Sequence, residues 1–295
     1  MKKIIIFAAF SLIFSSLSGQ DIIERISTRI CNCIDTIENM DSLQTKLDKC
    51  VPEALSIIFD SESDDDNEFA DSDSIKNTVN EVMEKLSYYC PKIKEYILAF
   101  REAQFYKMSD SDKANEFYEA GIKAYNSDDF KIAEKEYLKA IKADPKFVYA
   151  YDNLALTYRK LSQYKKAVKY YGESLKIFPE GKFAIQNQAI AYLYLKDNMN
   201  ALKNYDRLIN LYPGNPEGFF GTAKVLFMNE NYEDALDYAF YSHKMYAAQK
   251  SDYVRDTEEL ISSIHDKLKE QGKLEIFNKK AKGHGISINS DIQTK

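Results

Sequence analysis

From Ala114 to Tyr246 one arrangement of apolar, small and polar residues comes back every 34 residues, four times over. Phe117, Tyr151, Ile185 and Phe219 mark one phase of it. A small residue follows at Gly121, Ala155, Ala189 and Ala223, and an alanine at Ala133, Ala167, Ala201 and Ala235. Pro145, Pro179 and Pro213 close the first three units, and Ala247 stands in that slot in the fourth. Within the second unit Tyr151, Leu154, Ala155 and Tyr158 share one face at helical spacing, and Ala167, Tyr171, Ser174 and Leu175 share another. Each unit therefore reads as two helices, with Tyr164 at the turn and Pro179 stopping the second helix. Ala155 and Ala167 let the pair approach closely, while the tyrosines fill the space around them. One such hairpin cannot cover its own apolar face. Neighbours must stack on it, so the pattern predicts a helical solenoid.

Upstream the apolar steps are local. Ile22, Ile26, Ile30, Cys33 and Ile37 lie three or four apart, one face of a helix starting at Asp21. A second helix is expected over 42–60 through Leu43, Leu47, Cys50 or Val51, Leu55 and Ile58, with Pro52 either kinking it or moving its start downstream. A third, from Ser74 to Tyr89, carries Ile75, Val79, Val82 and Leu86, and Pro91 opens a fourth that ends near Met108. These form a small bundle over 20–110.

The bundle holds all four cysteines, Cys31, Cys33, Cys50 and Cys90. In an exported chain an even count suggests two disulfides, for which three connectivities exist. A Cys31–Cys33 bridge would be strained within a helix, which favours Cys33–Cys50 with Cys31–Cys90. The alternatives are a zinc site, against which the Cys-x-Cys spacing and the lack of a nearby histidine speak, and thiol exchange through Cys31 and Cys33. Residues 60–73 are a run of acids without apolar anchors, expected as a solvated loop. Calcium binding is the sharper alternative there, but the glycine of an EF-hand loop is missing.

The N-terminus changes the compartment. Lys2 and Lys3 precede an apolar run from Ile4 to Leu17, followed by Ser18 and Gly19, the order of a secretory signal peptide over 1–19. The run is short against the roughly 20 residues of a membrane span; an uncleaved anchor is the alternative. The mature chain is expected in the periplasm or outside the cell, with no membrane span after signal removal. Composition narrows the chemistry. A net charge of −6 leaves no basic excess for phosphates, so nucleic acid is not expected as a partner. Twenty-two tyrosines, ten glycines and no tryptophan favour helices packed by aromatics. His243, His265 and His284 lack metal-type spacing, and neither a Gly-rich phosphate loop nor a nucleophile elbow occurs. No catalytic residue, metal or cofactor is expected, and the chain reads as a non-enzyme.

The repeated units resemble tetratricopeptide repeats (TPR). The second unit matches their pattern almost throughout. The first agrees at Phe117, Gly121, Phe130, Ala133, Tyr137, Ala140 and Pro145, with Ala124 in place of the usual tyrosine. The third agrees at Ala189, Tyr192, Ala201, Tyr205 and Pro213, while Ile185 and Asn198 replace aromatics. The fourth keeps Phe219, Ala223, Tyr232 and Ala235 and loses the proline. The resemblance implies an all-α fold: a TPR helical-hairpin solenoid preceded by the small cysteine-containing helical domain. Its units would be 114–147, 148–181, 182–215 and 216–247, with a capping helix at 250–272 and a tail at 273–295, frayed from about Ala281.

The family further implies a right-handed superhelix whose concave groove, lined by the first helix of each pair, binds a peptide or partner protein. Its groove offsets fall on Tyr118, Ile122, Tyr125 and Asn126 in the first unit, and on Tyr149, Asp152, Asn153, Leu156, Arg159 and Lys160 in the second. In the third they fall on Phe183, Gln186, Asn187, Ile190 and Tyr194, and in the fourth on Glu217, Phe220, Lys224 and Phe227. Packing between helices is the competing role for each. A chaperone-type carboxylate clamp is not expected, because Tyr118 and Ile122 occupy its first offsets and no Lys or Arg lies between Phe183 and Leu195. The expected function is an exported, non-enzymatic scaffold or adaptor for a protein or peptide of the cell envelope or exterior. Self-association, through the open end or the groove, is the alternative.

Overall fold

The computed structural model describes residues 19–34, 36–61 and 72–286. All but the last residue of the expected signal peptide, and most of the acidic segment, lie outside the described residues. Those described form fourteen α-helices and no strand, in two units, Met1–Arg101 and Glu102–Lys295.

The first unit contains α1 (Gly19–Cys33), α2 (Met40–Ser61), α3 (Ser72–Tyr89) and the start of α4 (Pro91–Phe105). Ile22, Ile23, Ile26 and Ile30 of α1 are buried together with Leu43, Leu47 and Ala54 of α2, Val82 and Leu86 of α3, and Ile93 of α4. Asn39 and Ser42 cap α2 reciprocally: Asn39 Oδ1 accepts from the Ser42 N–H at 2.8 Å, and Ser42 Oγ accepts from the Asn39 N–H at 3.1 Å. This cap holds the start of the helix at Met40, so α2 runs on through Pro52 instead of beginning after it. Cys31 is bonded to Cys90, and Cys33 to Cys50, the two pairs that the sequence favoured. They tie the end of α1 to α2 and to the break between α3 and α4.

The second unit stacks helix pairs: α5 (Asp112–Asn126) with α6 (Phe130–Ala143), α7 (Val148–Lys160) with α8 (Tyr164–Ile177), α9 (Lys182–Tyr194) with α10 (Asn198–Leu211), and α11 (Pro216–Met228) with α12 (Tyr232–Ala248). Ala133, Ala167, Ala201 and Ala235 are fully buried where the partners meet. Every first helix ends in the same way. Asp128, Ser162, Lys196 and Glu230 adopt φ of 58–61°. The next residue, Asp129, Gln163, Asp197 or Asn231, donates its N–H to the carbonyl of Ala124, Tyr158, Tyr192 or Leu226. This is the Schellman closure of a helix, made here with ordinary residues in the left-handed position where glycine is usual.

The array does not stop at a capping helix. α13 (Val254–Glu270) is followed by α14 (Leu274–Gly283), which packs Phe277 and Ala281 into the core with Phe240, Ile261 and Ile264. The tail expected from residue 273 is thus a helix for nearly its first half, and the pair α13–α14 continues the stack. Its lysines hid it: the single apolar stripe carries only Phe277 and Ala281 fully inside. First helices of successive pairs touch along the whole series α5, α7, α9, α11, α13, whereas the second helices meet as closely only at α12–α14. The stack therefore bends toward the first-helix face.

Candidate functional site

The first-helix face is the inner face of the bend, and most of its polar side chains are already engaged. Tyr118, on α5, is buried against Tyr137 and Phe147 and stacks on Tyr149 with ring centroids 6.0 Å apart. Its hydroxyl accepts from Asn153 Nδ2 at 2.9 Å, one step along the array. Burial first, then the neighbouring Tyr149 and Asp152, pushes its pKa up to about 12, and the Asn153 bond opposes this. At the next step Arg159 donates to Asn187 Oδ1, and Asn187 Nδ2 donates to the Phe183 carbonyl at 2.8 Å. At the third, Gln186 Nε2 donates to Glu217 at 3.0 Å, and the other Glu217 oxygen accepts from the Tyr246 hydroxyl at 2.5 Å. Of the residues placed in the groove on sequence, then, Tyr118, Asn153, Arg159, Gln186 and Asn187 join neighbouring pairs to one another.

Part of the face is covered from within the unit. Phe105 stacks on Phe178 at 5.0 Å. Tyr106 packs edge-on to Tyr149 at 5.3 Å and to Phe178 at 5.7 Å, and its hydroxyl donates to Asp152 Oδ2 at 2.7 Å. Gly181 makes room, since a Cβ there would lie 3.2 Å from that hydroxyl. Asp152 is 2% exposed, and burial pushes its pKa up to about 6 against the contrary pull of Ser174 and Tyr106. Nothing in the repeat period pointed to Tyr106, which precedes the first unit.

The open surface lies toward α13. Phe183 is exposed, and Phe220 is half-buried with the Lys224 ammonium over its ring at 5.3 Å. A cleft of about 260 Å³ opens beside them, lined by Phe220, Lys224, Asp256, Glu259, Leu260 and Ser263. The acids come from α13, whose place in the stack the sequence showed only as a cap. Tyr125, partly buried, packs on Phe130 at 5.4 Å. Tyr194 is exposed but lies at the last residue of α9, stacked at 4.5 Å on Tyr164, the first residue of α8. It marks the rim, where helix pairs turn, and not the centre of the face.

Stacked helical hairpins with small residues at their crossings define a solenoid of the helix-turn-helix repeat class. Models of the tetratricopeptide repeat match residues 136–169 and 187–251. Over those residues the chain carries tetratricopeptide repeats. Among solved structures it is similar to MamA from Desulfovibrio magneticus RS-1, residue 41 to the end (11% identity, 60% of this chain and 96% of that one, TM-score 0.50). Another MamA crystal structure is 17% identical, over 59% of this chain and 90% of that one, with a TM-score of 0.49. The first TPR of Spaghetti (RPAP3), bound to the HSP90 peptide SRMEEVD, is 25% identical over 41% of this chain and 96% of that one, with a TM-score of 0.40. The likeness to the Desulfovibrio protein is one of fold. No curated protein matches the chain.

Proposed function

We propose that this chain is an exported, non-enzymatic scaffold that binds a protein or peptide along its first-helix face. The observation that carries the reading is the cleft beside Phe220. It combines an aromatic and aliphatic floor with charges of both signs, on a face whose other polar groups are held in inter-repeat bonds. Rigid apolar anchors ringed by polar groups are what peptide-binding surfaces need. Export is supported by the charged, apolar, small-residue order of residues 1–19 and by the two bridges, which persist in oxidising compartments. Thiol exchange would need a free thiol at Cys31 or Cys33, and both are bridged here.

A photo-crosslinker at position 224, in the chain expressed in its own cells, tests the reading. One recurrent protein partner is expected, lost on Phe220→Ala with the melting temperature held. Crosslinks confined to the chain itself, or capture unchanged by Phe220→Ala, would sink it. Fractionation of the same cells places the chain, and recovery in the cytoplasm with reduced cysteines would remove the exported part.

A further inference from the structure

The face opposite the cleft carries a different chemistry. α6 and α8 together hold eight lysines and three glutamates, so +5 on two helices of a chain whose net charge is −6. Six of those lysines fall at matching offsets of the repeat: Lys131 and Lys165, Lys135 and Lys169, Lys142 and Lys176. On each helix the three positions span four and then seven residues, which puts them within one narrow stripe. All six are exposed. The three glutamates are already engaged by Lys166, Lys139 and Lys176. The other five lysines of the stripe are in no ion pair among the described residues.

The fold does not demand these charges. At the same offsets α10 has Met199, Lys203 and Asn210, and α12 has Glu233, Asp237 and Lys244. The stripe belongs to two adjacent pairs and then reverses sign. Between its lysines α6 exposes Ile132 and Leu138, 53% and 37% accessible.

We propose that the outer face of α6 and α8 is a docking surface for an anionic lipid bilayer. The choice of lipid over an acidic protein rests on which cation is used. Lysine is depleted in protein interfaces and arginine enriched, and protein partners are held by aromatic or arginine anchors set in pockets. This stripe has six lysines, no arginine and two small aliphatic projections. A row of flexible point charges suits a layer of mobile headgroups, and clusters of four to eight such cations are enough to hold a surface. Docked this way, the chain turns its first-helix face, with the Phe220 cleft, away from the bilayer.

The test is co-sedimentation of the full chain with vesicles of phosphatidylglycerol and phosphatidylcholine in equal parts, and with phosphatidylcholine alone. Binding is expected only to the first, falling as salt rises. Each lysine near such a surface contributes about fivefold to affinity, so Lys131→Gln, Lys135→Gln, Lys165→Gln and Lys169→Gln together should weaken binding on the order of several hundredfold. The four arginine replacements should keep it. Met199→Lys with Asn210→Lys, which lengthens the stripe onto α10, should tighten it about 25-fold. Equal binding to both vesicle types, or binding indifferent to the glutamine set and to the added lysines, would overturn the proposal. So would a stripe-dependent preference for polyglutamate or duplex DNA over the anionic vesicles, which would make the partner an acidic protein or a nucleic acid.

Discussion

Asp152→Asn should make this protein more stable at neutral pH and leave it unchanged in acid. The carboxyl is buried on α7 with the Tyr106 hydroxyl 2.7 Å from Oδ2, and burial holds its pKa at about 6 against 3.8 for the free group. Between those values the folded chain keeps a proton that the unfolded chain has released. Stability from this group is therefore complete below the unfolded value, falls as pH rises through about 6, and is level above. A shift of two units is worth about 3 kcal/mol, the most the substitution can recover. Asparagine carries no charge and keeps an oxygen for Tyr106. For a unit of this size about 3 kcal/mol corresponds to a rise of roughly 6–12 °C in melting temperature. The assay is thermal unfolding by far-UV circular dichroism for both proteins from about pH 4 to about pH 8, read as the difference so that other titrations cancel. A difference that does not grow with pH, or an asparagine protein less stable at neutral pH, would refute the reasoning. Tyr106→Phe supplies the cross-check. It removes a donor from a buried carboxylate and should cost about 1–3 kcal/mol at neutral pH, and less in the Asp152→Asn background.

Other expectations follow from particular contacts. Cys31–Cys90 spans 59 residues and Cys33–Cys50 spans 17, so paired Cys→Ser changes should destabilise the first unit by about 4 and about 3 kcal/mol respectively, in denaturant titrations; the reverse order would contradict the loop-entropy account. Gly221→Ala puts a Cβ 2.1 Å from the Tyr205 ring and should lower stability by about 1–3 kcal/mol, whereas Gly214→Ala, with nothing within 4 Å, should leave the melting curve nearly unmoved. Asp237 binds Lys280 at 2.6 Å and His284 at 2.9 Å; burial works to raise its pKa, but those two bonds outweigh it and hold the pKa below the usual carboxylate value. Its contribution is present above the free-group pKa and lost as pH falls through the folded one, so Asp237→Asn should speed amide exchange in α14 by about 1 kcal/mol at neutral pH and change nothing in strong acid.

The repeats were legible because their geometry forces small residues at fixed offsets. Ala133, Ala167, Ala201 and Ala235 sit where helices cross, and nothing larger fits without moving the pair. The first-helix ends were not legible as such. Asp128, Ser162, Lys196 and Glu230 reach the left-handed region without the glycine that would have announced it. The groove positions were legible only as a list, because an offset says which face a residue is on and not what it bonds to. Asn153 and Arg159 are on the expected face, yet each is hydrogen-bonded to the neighbouring pair. Tyr106 lay outside the period altogether, and α14 was masked by lysines that flank an apolar stripe with two residues fully inside.

The engaged groove residues bear on how the face would recognise anything. Each step among the four repeated pairs carries a side-chain bond on the inner side: Tyr118 to Asn153, Arg159 to Asn187, Gln186 to Glu217. The apolar core is less continuous. One cluster runs from α5 to α10 and another from α11 to α14, with a small one around Ala189, Ala201, Tyr205 and Val225 between them. There Gly218 and Gly221 bring the backbone of α11 against Ile209 and Tyr205, so closeness stands in for bulk. In a linear array the coupling of neighbours sets how each junction holds. At this junction it comes from backbone approach and the Gln186–Glu217 bond, with few large side chains. Phe183 lies on one side of it, and Phe220 with Lys224 on the other. A partner lying across both would add its own contacts where the array has the fewest, and would meet a face already ordered on either side.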